Sequence, residues 1–294
     1  MKSTRKRLHL FIMIRKRGEV STIMQCKLLL PKKIVLPNGK EVLEKRSISP
    51  LLWLILFVLT LLSIRITDFS LEVLKDRIDQ FFVIIQQMVP PNWGYVAKLW
   101  QPLFDTIKMS LLGSVVGAIC ALPIAMLAAA NITKNKWIAM WSKFMLSLLR
   151  TLPTLIIALI ATFIFGLGTM AGTIAIFLFT IAYVGKLLYE QIENVDLRGF
   201  EAMQAMGLPT IQAFRYAILP QILPNYISTS LFCFEGNVRY ASILGYVGAG
   251  GIGLLLNESI GWRSYANVGM ILLMLVCTVF IIESTSEYFR KRLM

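Results

Sequence analysis

Apolar residues in this chain are gathered into long blocks, beginning with Pro50–Ile66 (PLLWLILFVLTLLSIRI). A run of about 18 or more apolar residues is what it takes to cross the roughly 30 Å hydrocarbon core of a bilayer. Inside that core only a helix or a closed barrel satisfies its own backbone. The chain is 56% apolar and 16% charged, against about 45–50% and 25% for soluble domains. A soluble globule, a disordered chain and a disulfide-stapled secreted domain are therefore excluded, and the expected class is an all-α polytopic membrane protein.

Of the +14 formal charge, the largest share sits at the front: residues 1–49 hold 13 Lys/Arg against Glu19, Glu41 and Glu44. A basic arm ahead of the first span marks a cytoplasmic N-terminus that rests on anionic headgroups. No base-reading motif accompanies the charge, so nucleic acid is not an expected partner. Leu8–Ile14, flanked on both sides by basic triplets, is at the lower length limit for the apolar core of a signal peptide and lacks a small-residue cleavage site. Lys33–Val42 (KIVLPNGKEV) reads as a small hairpin around Asn38-Gly39. The cysteines, at 26, 120, 233 and 277, show no CxxC spacing, and His9 is the only histidine. Neither a metal site nor a cofactor is expected.

Six spans follow from the apolar blocks: Pro50–Ile66, Ile107–Ala130 with a kink at Pro123, Trp137–Phe165 broken at Pro153, Ala171–Tyr189, Gln221–Leu244 and Ala266–Ile282. Between the first two, Leu74, Ile78, Phe81, Ile85 and Met88 recur at 4-3-4-3 spacing. That stripe predicts an amphipathic helix on the outer surface, ended by Pro90-Pro91. Six crossings put both termini on one side, and every basic cluster, including Arg290-Lys291-Arg292, then falls in the cytoplasm. The expected divisions are an arm over 1–49, a first span over 50–66, an external amphipathic region over 67–104, a core of five further spans over 105–289, and a cytoplasmic tail over 290–294.

The polar cytoplasmic segment 190–220 is longer than a connection needs, which implies a docking partner. Two short helices are expected in it, the first capped near Asp196, with a reversal at Gly207 and Pro209 in the first turn of the second. Here the residues resemble the permeases of ATP-binding-cassette importers. Their signature runs Glu-Ala-Ala, three residues, Gly, nine residues, Ile-x-Leu-Pro, and Glu201, Ala202, Gly207, Leu219 and Pro220 match it in spacing. Met203 and Ala217 depart from it without adding charge. The resemblance extends over about residues 100–290 to the phosphonate importer permeases. It is carried by Arg150-Thr-Leu-Pro153, Gly166-Leu-Gly168, Gly185-Lys-Leu-Leu188 and Ile243–Gly253 (ILGYVGAGGIG); methionine importer permeases share much of it. It implies a type I importer transmembrane fold in a bacterial cytoplasmic (inner) membrane. It also implies a homodimeric pore, two cytoplasmic ATPase subunits that hydrolyse the ATP, an external substrate-binding protein, and a coupling segment over 196–220.

Gly248, Gly250, Gly251 and Gly253 spell G-x-G-x-x-G, but no strand precedes them and the topology places them outside. They are expected to form a mobile or close-packed outer gate loop. Glu235 and Arg239, four apart in the fifth span, form either a structural ion pair or, with Asn237, Tyr240 and Arg150, the lining of an anion pathway. No catalytic motif is present, so the chain is not expected to be an enzyme. Permeases for methionine, phosphite or phosphate are the rivals within the class. An ion-driven secondary transporter would leave the segment around Glu201 unexplained and would favour internal repeats, which are not seen.

Overall fold

The computed structural model describes residues 33–35, 41–43, 49–67 and 70–293. Most of the basic arm, Leu8–Ile14, His9, Cys26 and the Asn38-Gly39 turn lie outside the described residues.

The chain divides into two units, residues 1–76 and 77–294. In the first, β1 (Lys33–Val35) pairs antiparallel with β2 (Glu41–Leu43), Ile34 opposite Val42, as the hairpin reading expects. α1 (Ser49–Ile66) has Pro50 near its start and is apolar all round. At 1.5 Å per residue it is about 27 Å long. Its apolar side chains, Leu51 to Ile66, are exposed on every side, which suits a helix solvated by lipid. α2 (Leu71–Met88) carries the expected amphipathic stripe and stops just before Val89-Pro90-Pro91. It begins in the first unit and ends in the second.

The second unit is built on α3 (Val96–Ala128) and α6 (Thr169–Glu193), which pack closely along their length. Ser110, Ser114, Gly117, Ala121, Ala125 and Ala128 form a buried stripe of small residues on α3. A Cβ on Gly117 would lie 2.7 Å from Thr180, so only glycine admits this approach of two backbones, as at helix crossings in membranes. α3 passes through Pro102 and Pro123 without a break and begins well before Ile107. Its N-terminal extension lies in the stretch expected to be an external amphipathic region. It is held because Leu99 and Leu103 are buried against Ile252, Met270 and Ile271.

The third expected span is broken at Pro153, as its sequence suggests. α4 (Lys136–Thr151) and α5 (Thr154–Phe165) meet at 89°. Leu152, held extended (ψ 122°) ahead of Pro153, ends the first helix, because a proline disfavours helical geometry in the residue before it. Both helices pack on α6. Glu193 accepts from Lys143 Nζ at 2.6 Å and from the Ala130 amide at 2.9 Å, tying α4, α6 and the α3–α4 turn together.

α7 (Arg198–Ala205) and α8 (Thr210–Ala213) lead through a π-helical turn at Phe214–Ile218 into α9 (Leu219–Leu244). α10 (Ile252–Gly261) occupies the expected outer loop, bent 50° from the preceding helix. α11 (Tyr265–Leu293) is the last element and runs through Arg290-Lys291-Arg292.

Among the described residues, α3, α6 and α11 are each long and apolar enough to cross a bilayer, and the two bent pairs bring the count to five if each is one span. The unit is all-helical. In α1, a sixth apolar helix, the stretch Leu51–Ile66 is shorter than these.

Candidate coupling segment and translocation site

The candidate coupling segment, 196–220, is anchored from within. Asp196 Oδ1 accepts from the Arg198 amide at 3.0 Å, capping α7 as expected, and its other oxygen takes the Arg198 guanidinium at 2.6 Å. The bonded guanidinium and amide pull the Asp196 carboxyl down to about 2. Phe200 is buried among Ile192, Ala213, Phe214, Ile218 and Ile222, which fastens α7 to the ends of α6 and α9. Gly207 follows at φ +88°, its amide bonded to the Gln204 carbonyl at 2.9 Å. This left-handed closure of a helix favours glycine. Pro209 stands at the cap of α8, one position earlier than the sequence suggested.

The outer side of this hairpin is open. Glu201 and Ala202 are exposed, Leu219 half-buried and Pro220 exposed. Met206, Ile211 and Tyr216 are exposed apolar side chains on the same segment. The sequence reading missed these three; apolar residues in a short polar hairpin were the available signal. Met203 and Ala217, the two departures from the signature, both turn inward against the Phe200 cluster, where apolar side chains fit.

The pathway candidates separate. Glu235 pairs with Arg239 on α9, and Arg239 and Tyr240 border a cavity of about 370 Å³ walled by Phe179, Tyr183, Phe232 and Ile243. Phe179 stacks on Tyr183 at 5.8 Å and meets Tyr240 edge-on at 5.6 Å. Asn237 lies elsewhere: fully buried, it donates to Ser114 Oγ at 2.8 Å and Thr180 Oγ1 at 2.9 Å, joining α9 to α3 and α6. Arg150 does not line the cavity. It is exposed in the last turn of α4, where the negative end of the helix dipole favours a cation. Two partners from α11 were not anticipated: Arg290 Nη2 is 3.6 Å from Glu235, and Glu283 is 3.7 Å from Arg239.

The glycine loop is close-packed. Gly248, Gly250 and Gly251 have positive φ, the Gly248 carbonyl accepts from the Gly168 amide at 3.0 Å, and the Ile252 amide donates to Thr106 Oγ1 at 2.8 Å. Gly253 crosses the end of α9 so closely that a Cβ would lie 1.9 Å from the Ser242 carbonyl. Thr106, the α3 residue that holds the loop, was not visible as such in the sequence.

Residues 121–293 match the family described as the inner membrane component of binding-protein-dependent transport systems. The chain belongs to this family. The phosphite transport system permease protein PtxC of Stutzerimonas stutzeri is 32% identical over 205 residues, covering 70% of this chain and 74% of its own. The phosphate-import permease protein PhnE of Mycolicibacterium smegmatis is 32% identical over 211 residues, 71% of this chain and 40% of that one. Among solved structures, the inward facing MetNI methionine ABC transporter superposes with a TM-score of 0.61 at 19% identity, over 69% of this chain and 99% of that chain. This likeness shows the fold. The permease is thus a multi-pass membrane subunit with the architecture of ATP-binding-cassette importers, and its relatives are transport subunits.

Proposed function

We propose that this permease forms, as one half of a homodimer, the pathway for phosphonate-type oxyanions (phosphonate, phosphite or phosphate) delivered by an external binding protein and driven by two cytoplasmic ATPase subunits. The observation that carries the substrate class is Arg239, a half-exposed guanidinium on α9 facing a cavity whose other walls are largely aromatic. A charge held inside a membrane protein is costly, and where it borders a cavity it serves an ion or substrate path. A guanidinium meets an oxyanion with two parallel hydrogen bonds. The names of the two relatives, phosphite and phosphate permeases, support the same class.

In this reading α1 spans as the sixth helix and each bent pair spans once. Both termini are cytoplasmic, and α2 lies along the outer face. The 196–220 segment seats in a groove on each ATPase through Glu201, Ala202, Gly207 and the exposed Met206 and Ile211. ATP binding closes the ATPase pair, and the hairpin carries that motion through the Phe200 cluster into α6 and α9. Coupling of this kind requires contacts that differ between two states. Gly248–Gly253 forms the outer gate towards the binding protein.

The test is uptake by the permease reconstituted with its ATPase and binding protein, using labelled phosphite, phosphate and methylphosphonate. ATP-dependent uptake of at least one of them, lost in Arg239→Gln and indifferent to excess methionine, is expected. Uptake untouched by Arg239→Gln would overturn the anion pathway, and uptake of methionine would overturn the substrate class. Transport with no ATPase present would return the secondary transporter.

A further inference from the structure

Four charged side chains meet between α9 and α11, and two of them, Glu235 and Arg290, each keep a buried atom without a hydrogen bond. Glu235, only 5% exposed, gives one carboxylate oxygen to Arg239; its other oxygen is buried without a hydrogen bond and faces Arg290 Nη2 at 3.6 Å. Arg239 in turn lies 3.7 Å from Glu283, which is half exposed. Arg290 Nε and the Ser286 hydroxyl are also buried without partners. Glu283, Ser286 and Arg290 fall at i, i+3 and i+7 on α11, one face turned to α9.

Buried polar groups are ordinarily paired, and orphans gathered in one place call for a physical account. Here Glu235 has two guanidinium groups within reach, Arg239 and Arg290, and Arg239 has two carboxylates within reach, Glu235 and Glu283. The two carboxylates differ in one respect. Glu235 is enclosed and cannot leave without stranding a buried charge. Glu283 is half in the open and can be released at small cost.

We propose that α11 sets how much of Arg239 is available to a passing anion. Glu283 is an internal competitor that occupies the guanidinium until an oxyanion displaces it, and Arg290 draws the fixed Glu235 charge off Arg239. Glu283 and Arg290 act through Arg239 and are positioning residues. The proposal rests on the reading that Arg239 meets the transported anion.

Arginine modification by phenylglyoxal separates the two ideas. The full-length permease with its ATPase is treated in detergent, and the Arg239 peptide is quantified with and without phosphite or phosphate. Glu283→Gln is expected to speed modification of Arg239 about fivefold and to lower the protecting oxyanion concentration by a similar factor, the worth of a half-exposed ion pair. Glu283→Asp should stay near wild type. Arg290→Gln should slow the modification, and Arg290→Lys should restore it. A merely structural role would change melting temperature without this pattern. Wild-type rates in Glu283→Gln, with oxyanions still protecting Arg239, would overturn the competition and leave the anion pathway standing. Altered rates with no protection by any oxyanion in any variant would overturn the pathway reading, and the competition with it.

Discussion

Replacing Gly207 by Asp tests the coupling segment, because its folding cost and its docking cost can be estimated separately. At φ +88° an L-residue is strained, by about 1–2 kcal/mol, with Asp and Asn at the low end because they tolerate this region best. No steric cost is added, since a Cβ there has nothing within 4 Å. The Phe200 anchor is untouched, so insertion and the folded hairpin survive. Docking is another matter. Gly207 lies between the exposed Met206 and Ile211, and a carboxylate buried unpaired against a partner costs about 3–5 kcal/mol. That is roughly two to three and a half decades of docking affinity, since each 1.4 kcal/mol is tenfold. Gly207→Asn carries the same backbone preference without the charge. In the reconstituted complex, Gly207→Asp is expected to abolish coupled ATP hydrolysis and uptake while melting near wild type, and Gly207→Asn to keep most of both. Wild-type coupled hydrolysis in Gly207→Asp would refute the docking role. Equal loss in Gly207→Asn would trace the effect to backbone strain instead.

The Gly248–Gly253 loop should be equally sensitive to a single methyl. Gly253→Ala forces the backbone crossing at Ser242 apart and is expected to cost about 1–3 kcal/mol, whereas Gly261→Ala, with open space, should be neutral; thermal unfolding in detergent compares them. Asn237→Ala strands the Ser114 and Thr180 hydroxyls without their shared donor and should cost about 1–3 kcal/mol, read as a lower melting temperature. Asp196, lowered from 3.8 to about 2, contributes stability that is present above pH 4 and is lost as pH falls towards 2. Hydrogen exchange of the α7 amides should therefore accelerate over that window, less so in Asp196→Asn and less so at high salt.

Most of the helices were legible because the bilayer imposes a length and a composition that local sequence must meet. Hydropathy alone marked α1, α6 and α9 within a few residues, and the 4-3-4-3 stripe marked α2. The hairpin over 196–220 was legible for a different reason: Asp196, Gly207 and Pro209 are each suited to a backbone geometry that needs no distant partner. Hydropathy failed where a helix is held by other helices. The first turns of α3 are too polar to look like a span, and they are helical because Leu99 and Leu103 are covered by α10 and α11. The last turns of α11 look like a charged tail until Glu235 is set against Arg290.

The candidate site shows the same division. That Glu235 and Arg239 share a face follows from helical periodicity and was available from spacing. That Asn237, two residues away, belongs to the α3–α6 contact while Arg239 borders a cavity depends on which helices flank α9. So does the presence of Glu283, more than forty residues along the chain. The Gly248–Gly253 motif spelled a nucleotide signature, and its surroundings, Thr106 and Ser242, made it a packed crossing instead. Membrane class, the runs able to span and the hairpin over 196–220 are written in local chemistry, because solvent and backbone geometry act residue by residue. Partners across helices are not, because a contact between distant positions exists only once the packing that brings them together has formed.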